Sequence, residues 1–369
     1  MKILHTADLH LGKTLNGYSL IDDQKEILNK IKDIIKAENV SVVIIAGDIF
    51  DRAITTQESL NLFTNFIEYI HDKGKHLVAI LGNHDSERIA FASSILKNSN
   101  IHIVSEPRRI DIEDVKFFCI PYYDIHHFNA YYNEEFESLE DAYKFAIDDF
   151  NIKQENYNIL IAHDYFTYNM EELIKTDSEV RHTVGGLNYL DVKLFEGFDY
   201  VALGHMHSAQ KVMKDTIRYS GSVLKYSFSE VKDNKSVVII DTDNDSFYKV
   251  PLIPTKDLVE IKGDLKTLIS SEFYSKYNYK NDYFRAIIPR NEVNAYSELK
   301  AIYPNIMEIT TESEDETKER VLERQIVKEN NYLELFKMFY KEATSNDLSD
   351  DELKIIKDYL GGIKWDLKD

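Results

Sequence analysis

The sequence contains almost no cysteine and no long apolar run, and each lack excludes a class of protein. Cys119 is the only cysteine in 369 residues, which excludes a disulfide-stapled scaffold and a metal site built from cysteine pairs. No segment approaches the roughly 20 consecutive apolar residues that a membrane-spanning helix needs. Residues 1–5 also lack the apolar core of a secretory signal peptide. We therefore expect a cytoplasmic protein without a membrane span.

Positive charge is scarce as well. Lys and Arg total 44 against 64 Asp and Glu, which gives a net charge of −20. This balance argues against a nucleic-acid binder, because phosphate contacts need Lys and Arg. The argument is limited, since net charge says little about local patches and metal-binding carboxylates are themselves acidic. Acidic residues gather at 312–316 and 347–352, where we interpret them as solvated surface.

Five apolar runs rich in β-branched residues each end in a polar cluster. The runs cover 3–7, 42–46, 77–81, 159–162 and 200–203, and they precede DLH at 8–10, GD at 47–48, GNHD at 82–85, HD at 163–164 and GHMH at 204–207. Such runs indicate buried strands. Helical patterns lie between the early runs, with Asp22 and Thr56 as expected N-caps, and this alternation predicts an α/β sheet. Because ligands bind beyond the carboxyl ends of such strands, we expect the clusters to meet.

The later sequence predicts a different architecture. After about Val192 the strands at 210–213, 217–220 and 236–241 have little helix between them, which favours a second, mixed or antiparallel sheet. The predicted fold class is therefore α/β, a four-layer α/β/β/α sandwich over residues 1–250. A 43% hydrophobic share is enough for such a core.

Two further segments follow the sandwich. Pro251 and Pro254 mark a boundary, after which we predict a small α+β domain at 251–311, with a strand at 284–288 and a helix at 292–302. Residues 312–369 have the pattern of a helical tail, with a capping box at 349–352. The tail's apolar residues either cover one another or face another protein: Leu333, Phe336, Phe339, Tyr340, Ala343, Leu353, Ile356 and Leu360.

The polar clusters supply carboxylate, carboxamide and imidazole groups but no thiolate. A single His at a strand end is more often structural, so the argument rests on the repetition of the pattern after five strands. These donors suit Mn²⁺ and Fe²⁺, and Zn²⁺ also fits. They exceed what one ion needs and match two ions that share a carboxylate, an arrangement that clamps a phosphorus centre for in-line displacement. The donors are Asp8, His10, Asp48, Asn83, His84, His163, His205 and His207.

In this order and spacing the clusters resemble the calcineurin-like metallophosphoesterase superfamily, and most closely its branch of SbcD nuclease subunits from bacterial SbcCD complexes. The resemblance is strong over 1–250, weaker over 251–311 and faint in the tail. The motifs that carry it are HTADLHLG at 5–12, AGDIFDR at 46–52, GNHD at 82–85, VGG at 184–186, GHMH at 204–207, YSGS at 219–222 and LKYSF at 224–228.

The resemblance implies a role for each donor. Asp8, His10 and His207 would hold a first metal ion. Asn83, His163 and His205 would hold a second. Asp48 would bridge the two, and Mn²⁺ is the expected ion. His84 would not be a ligand but would lie beside the scissile phosphate, where it assists the leaving group or stabilises the transition state.

The resemblance also implies an activity and partners. The chain would be a double-strand 3′→5′ exonuclease and an endonuclease on single strands and hairpins, acting in DNA end processing, replication and recombination. An SbcC-type ATPase would bind the C-terminal helices and supply ATP binding, since this chain has no P-loop motif. A homodimer of the nuclease within a heterotetramer, bound to DNA, is the implied assembly.

Two other functions stay open at this point. A phosphomonoesterase or nucleotide phosphodiesterase would use the same two-metal site and suits the acidic composition better. A non-catalytic subunit that keeps the site as a scaffold is the other alternative, against which the intact donor set argues.

Several residues outside the donor set allow a plainer interpretation. Asp51 and Arg52 either support the site or contact a substrate strand. Tyr122 and Tyr123 either stack on bases or pack in a turn. We expect His126-His127 on a surface loop and Cys119 buried in a strand.

Overall fold

The structure is a computed structural model in which residues 1–92, 99–169, 173–174, 176–177, 189–290 and 292–312 are described. The chain forms two compact units, Met1–Thr310 and Thr311–Asp369. The VGG motif at 184–186 and the predicted tail helices lie outside the described residues. The domain boundaries after residues 250 and 311 stay predictions.

The described residues form both helices and strands. The α-helices are α1 (Ile21–Ala37), α2 (Gln57–Asp72), α3 (Ile125–Tyr132), α4 (Leu139–Asp149), α5 (Leu265–Leu268), α6 (Ser271–Tyr274) and α7 (Ala295–Ile302). The strands are β1 (Lys2–Thr6), β2 (Thr14–Leu15), β3 (Tyr18–Ser19), β4 (Val42–Ala46), β5 (His76–Ile80), β6 (Ile101–Val104), β7 (Arg108–Ile112), β8 (Val115–Ile120), β9 (Tyr157–His163), β10 (Phe166–Thr167), β11 (Leu190–Asp191), β12 (Tyr200–Gly204), β13 (Lys211–Val212), β14 (Lys214–Tyr219), β15 (Ser236–Asp241), β16 (Ser246–Pro251), β17 (Leu258–Lys262), β18 (Tyr283–Ile288) and β19 (Ile306–Thr311). Among the described helices none is long and apolar enough to cross a membrane.

Two six-stranded sheets form the centre of the fold. Their strand orders are β16-β15-β1-β4-β5-β6 and β13-β14-β12-β9-β8-β7. In the first sheet β1, β4, β5 and β6 are parallel, and in the second β8, β9, β12 and β14 are parallel. All five predicted motif strands are therefore parallel strands whose carboxyl ends carry the polar clusters.

The second sheet differs from its prediction in extent. It starts at β7, well before residue 192, and β15 at Ser236–Asp241 joins the first sheet instead, antiparallel to β1. The prediction used helix content along the chain, whereas β15 pairs with a strand more than 200 residues earlier. Local pattern carries no information on such a long-range pairing.

The core confirms the four-layer arrangement. Leu4 and Val43 pack with apolar residues of α1 and α2 on the outer face of the first sheet. The neighbouring residues Ile3 and Val42 point the other way, into a second cluster that both sheets share. A third cluster joins the outer face of the second sheet to α3 and α4. This alternation follows from the two-residue period of a strand.

Helix termini bear out one expected N-cap and contradict the other. Thr56 caps α2, and its Oγ1 accepts the Ser59 N–H at 3.2 Å. The prediction for Asp22 is wrong, because α1 begins at Ile21 with Leu20 in the cap position and no side-chain cap. Asp22 lies instead in the first turn, where a carboxylate faces the positive end of the helix dipole.

A three-stranded sheet of order β17-β18-β19 follows the sandwich, with α5, α6 and α7 beside it. The predicted strand at 284–288 and helix at 292–302 correspond to β18 and α7. Leu258 and Tyr283 of this segment pack into the outer core of the first sheet. The Tyr283 hydroxyl also donates to the Asp23 carboxylate at 2.8 Å.

Candidate metal centre

The loops after the motif strands hold their polar residues in an uncommon backbone conformation. Asp8, His10, Asp48 and His205 have φ angles of 52°, 43°, 51° and 98°, in the left-handed region that non-glycine residues seldom adopt. Such strain persists only where surrounding contacts enforce it, and it gathers at functional sites. The left-handed turns aim successive side chains into one space between the strand ends.

Glycines in the same loops allow the close approach. A Cβ on Gly47, whose φ is +91°, would lie 2.1 Å from Nδ1 of His163. A Cβ on Gly82 would lie 2.2 Å from Oδ1 of Asp48. The glycines of the GD and GNHD motifs therefore make room for the imidazole and carboxylate donors.

The first predicted trio comes together from both sheets. Asp8, His10 and His207 each offer a ligand atom, and these atoms lie within 4.8 Å of one another. Nε2 of His10 lies 3.0 Å from Nε2 of His207. The Asp8 carboxylate accepts the His205 N–H at 2.9 Å, which ties β1 to the loop after β12.

The second predicted trio converges on one oxygen. Oδ1 of Asn83 lies 3.1 Å from Nε2 of His163 and 2.9 Å from Nδ1 of His205. The other nitrogen of His163, Nδ1, donates to the Ala46 carbonyl at 2.7 Å. In the neutral ring this hydrogen bond fixes the tautomer, so that the site-facing Nε2 carries a lone pair.

Asp48 lies between the two trios. Its Oδ2 is 3.5 Å from Nε2 of His10 and 3.4 Å from Nε2 of His163. Its other oxygen, Oδ1, accepts the His84 N–H at 2.9 Å. One carboxylate oxygen thus faces an imidazole from each predicted metal position, which is the placement that a bridging ligand requires.

Electrostatics at the site favour ionised Asp48. Burial opposes its charge, yet the His163 imidazole holds the pKa of Asp48 well below its usual range. The same pairing outweighs burial at His163 and raises its pKa to about 9. Burial lowers the pKa of His10 and His205 and raises that of Asp8 to about 7.

The donor set fits a pair of divalent cations. Neighbouring donor atoms lie 2.9 to 3.5 Å apart, close to the roughly 3 Å that separates two ligands at right angles around an ion with bonds of about 2.1 Å. In the second trio Oδ1 of Asn83, Nε2 of His163 and Nδ1 of His205 face one another. A cation would satisfy these lone pairs and favour the ionised form of Asp8.

His84 lies at the open side of this group. Its ring is half-buried and perpendicular to that of His10, with centroids 4.8 Å apart. Nδ1 lies 2.8 Å from the Asp51 carbonyl, to which it donates. His84, His10 and Asp48 also place one donor atom each within 4.8 Å of one another. These distances put His84 within reach of a metal ion. The metal content of a His84 variant therefore distinguishes a metal ligand from a residue that contacts the substrate.

Sequence reasoning assigned no role to Asp85, which organises two of the loops. Its carboxylate accepts the N–H groups of Ile49, Phe50 and Gly82 at 3.1, 2.9 and 2.9 Å. It thereby joins the loop after β4, which carries Asp48, to the loop after β5, which carries Asn83. In the sequence, only the place of Asp85 in the GNHD motif points to this role.

The structure shows where the other residues singled out in the sequence lie. Asp51 is buried and pairs with Lys13 at 2.8 Å, whereas the Arg52 side chain is exposed. Cys119 is buried in β8 as predicted. The surface loop expected at 126–127 is wrong in one respect, because both histidines are exposed but lie on α3.

The two tyrosines that follow β8 have different environments. Tyr123 is buried and packs against Phe128. Tyr122 stays exposed, with its ring centroid 6.5 Å from that of His163. Only Tyr122 is therefore placed at the rim of the site.

Known protein families match two segments of this chain. Residues 1–209 match the family described as calcineurin-like phosphoesterase, and residues 254–344 match a type 5 capsule protein repressor C-terminal domain. The SbcD nuclease subunit of the SbcCD complex from Staphylococcus epidermidis is 33% identical over an alignment of 377 positions, and the alignment covers 98% of this chain and 99% of that protein.

Solved structures are more distant. An archaeal phosphodiesterase is 18% identical and covers 68% of this chain and 100% of its own, with a TM-score of 0.33. A dimetal phosphatase from Danio rerio is 10% identical and covers 69% of this chain and 96% of its own, with a TM-score of 0.42.

Proposed function

This chain belongs to the calcineurin-like phosphoesterases, and within them to the SbcD nuclease subunits, and from that premise we propose that it is a Mn²⁺-dependent DNA nuclease. The family makes it a metal-dependent phosphoester hydrolase. The observation that carries the proposal is Asp48, whose Oδ2 lies 3.5 and 3.4 Å from imidazoles of two separate donor trios. Two metal positions joined by one carboxylate suit displacement at phosphorus.

Each side chain has a distinct proposed task. Asp8, His10 and His207 would hold the first ion, Asn83, His163 and His205 would hold the second, and Asp48 would serve both. When bound, the two ions supply Lewis acidity and lower the pKa of the attacking water. The Ala46 carbonyl fixes His163 so that its Nε2 faces the site, and Asp85 keeps the Asp48 and Asn83 loops together.

His84 is proposed to act on the substrate. Its backbone N–H is tied to Asp48, and its Nδ1–H to the Asp51 carbonyl. Both contacts fix the imidazole at the open side of the donor group. There, with a second proton on Nε2, the ring would stabilise the departing oxygen or give it that proton, a role that needs no covalent nucleophile from the protein.

The proposed substrates are duplex ends, cut from 3′ to 5′, and single strands or hairpins, cut internally. They place the protein in DNA end processing, replication and recombination in the cytoplasm. The support is a relative, named a nuclease subunit, that aligns with this chain over nearly its whole length. The separate match over 254–344 adds a segment that a minimal phosphatase does not need.

Substrate preference tests the proposal. The purified chain with Mn²⁺ is expected to degrade a 3′-labelled duplex and nick a DNA hairpin. It should turn over p-nitrophenyl phosphate far more slowly than bis-p-nitrophenyl phosphate, because the proposed substrate is a diester. Efficient hydrolysis of the monoester without cleavage of any DNA substrate would make the chain a phosphatase instead.

Metal preference gives a second test. Of the seven proposed ligands, four are imidazoles, two are carboxylates and one is a carboxamide. Mg²⁺ prefers oxygen ligands and retains its waters, whereas Mn²⁺ accepts imidazole. We expect Mn²⁺ to activate about tenfold or more above Mg²⁺ at equal concentration. Equal rates with the two ions would contradict the proposed ligands.

The proposed partner is an SbcC-type ATPase that binds the predicted C-terminal helices, in a heterotetramer with two copies of this chain. The proposal rests on the apolar residues of the tail and on the relative's name as one subunit of a complex. Apolar helical faces are typical of helix-in-groove contacts.

Truncation tests the role of the tail. All proposed ligands precede residue 210, so a chain ending after Gln325 is expected to hydrolyse bis-p-nitrophenyl phosphate at the full rate. The same truncation should abolish co-purification with the ATPase and ATP-dependent cleavage of duplex ends. Undiminished binding of the ATPase by the truncated chain would place the partner surface elsewhere.

A further inference from the structure

Behind the first proposed metal position lies a buried ion pair to which sequence reasoning gave no role. Glu230 and Lys235 are 0% and 5% exposed, and Nζ of Lys235 lies 2.6 Å from Oε2 of Glu230. Charged residues are seldom buried this completely. Such pairs add little to stability, because the cost of removing two charges from water offsets their attraction.

Glu230 contacts His207 on the side away from the site. Its Oε1 lies 3.4 Å from Nδ1 of His207, while Nε2 of the same ring lies 3.0 Å from Nε2 of His10. One ring nitrogen therefore meets a carboxylate and the other faces the metal position.

Lys235 contacts the backbone of His207. Its Nζ donates to the His207 carbonyl at 2.9 Å and also lies 3.5 Å from the Asp233 carboxylate. The ammonium thus contacts both Glu230 and the chain that carries the imidazole. Together the two charged groups hold the backbone and the ring of His207 by separate contacts.

The YSGS and LKYSF motifs build the pocket for this pair. The hydroxyls of Ser222 and Ser227 lie 3.3 and 3.2 Å from the two oxygens of Glu230. Gly221 has a φ of +79°, and a Cβ there would lie 2.7 Å from the His207 carbonyl oxygen. These motifs bear no proposed ligand, yet they surround the support of one.

We propose that Glu230 and Lys235 form an ionic clamp that positions His207 for the first metal ion. The inference rests on the proposed two-metal function. A carboxylate on the remote nitrogen of a ligating imidazole fixes the tautomer and raises the basicity of the nitrogen that binds metal. Lys235 pairs with that carboxylate and also holds the backbone carbonyl of His207. His163, whose Nδ1 bonds to a neutral carbonyl, needs no such pair.

The test removes both charges at nearly constant volume, with the double substitution Glu230→Gln and Lys235→Met. Mn²⁺ binding is measured by calorimetric titration and by the paramagnetic resonance of coupled Mn²⁺ pairs. We expect the wild type to bind two ions. In the variant, affinity at one position should fall about 10–100-fold, as for other supports of ligating histidines, and the coupled-pair signal should give way to that of isolated ions.

Controls separate the clamp from folding and from the proposed function. Glu38→Gln removes the partner of Lys2, 2.9 Å away at the surface, and should leave both ions bound. Glu230→Asp keeps the buried charge but withdraws it from His207, so it should weaken the same position even if the double variant fails to fold. Two ions bound at wild-type affinity in a folded variant would overturn the clamp. A wild type that binds no pair of ions would overturn the proposed function instead.

Discussion

Replacing Asp48 with alanine is expected to abolish hydrolysis and to strip both metal ions from the protein. Asp48 is 2% exposed, and its Oδ2 lies within 3.5 Å of an imidazole from each trio. Without this carboxylate, two close cations would share no anionic ligand, and their mutual repulsion would oppose binding at both positions. The loss of one bridge should therefore empty two positions, which no other single ligand substitution is expected to do.

Elemental analysis and Mn²⁺ titration measure this result directly. Asp48→Asn keeps the shape of the side chain and removes only its charge, so it should lose metal nearly as completely. Asp111→Ala is the matched control, since it deletes a carboxylate that pairs with Arg109 at the surface and should change neither metal content nor rate. Retention of one tightly bound ion by Asp48→Ala would make Asp48 a ligand to a single metal.

The composition of the site is predictable from sequence because its residues lie within or directly after short segments that read as strands. A parallel strand followed at once by polar residues places those residues at a known sheet edge, so Asp8, Asp48, Asn83, His163 and His205 were all found in this way. The structure brings them together with His10 and His207. The alternation of Leu4 and Val43 against Ile3 and Val42 likewise follows from strand geometry.

The parts that sequence missed depend on contacts between distant segments. β15 joins the first sheet through β1, and no local pattern distinguishes that pairing from membership of the second sheet. Glu230 lies on a single 3₁₀ turn, Phe228–Glu230, where no periodicity separates a buried carboxylate from a solvated one. The Asp22 prediction failed for a related reason, since acidic residues are favoured both at the N-cap and in the first turn.

Replacing His84 with alanine is expected to give a protein that keeps both ions and yet loses about 10²–10⁴-fold in the rate of hydrolysis, the usual loss for a removed acid–base or electrostatic group. The imidazole is held by Nδ1 at the Asp51 carbonyl, 2.8 Å away, at the open side of the donors. The backbone N–H that contacts Asp48 survives the substitution. Asp48 should therefore keep its position while the substrate loses its contact with the imidazole.

The leaving group decides what His84 does. If the imidazole protonates the departing oxygen, His84→Ala should slow a poor alkoxide leaving group, as in DNA, far more than the p-nitrophenolate of bis-p-nitrophenyl phosphate, which needs no proton. Equal losses on both would make the role electrostatic. His126→Ala removes an exposed imidazole of α3 and serves as the control. Because a nitrogen of His84 lies within 4.8 Å of ligand atoms of His10 and Asp48, metal content is the deciding measurement: loss of an ion from His84→Ala would make His84 a ligand and remove it from the catalytic role.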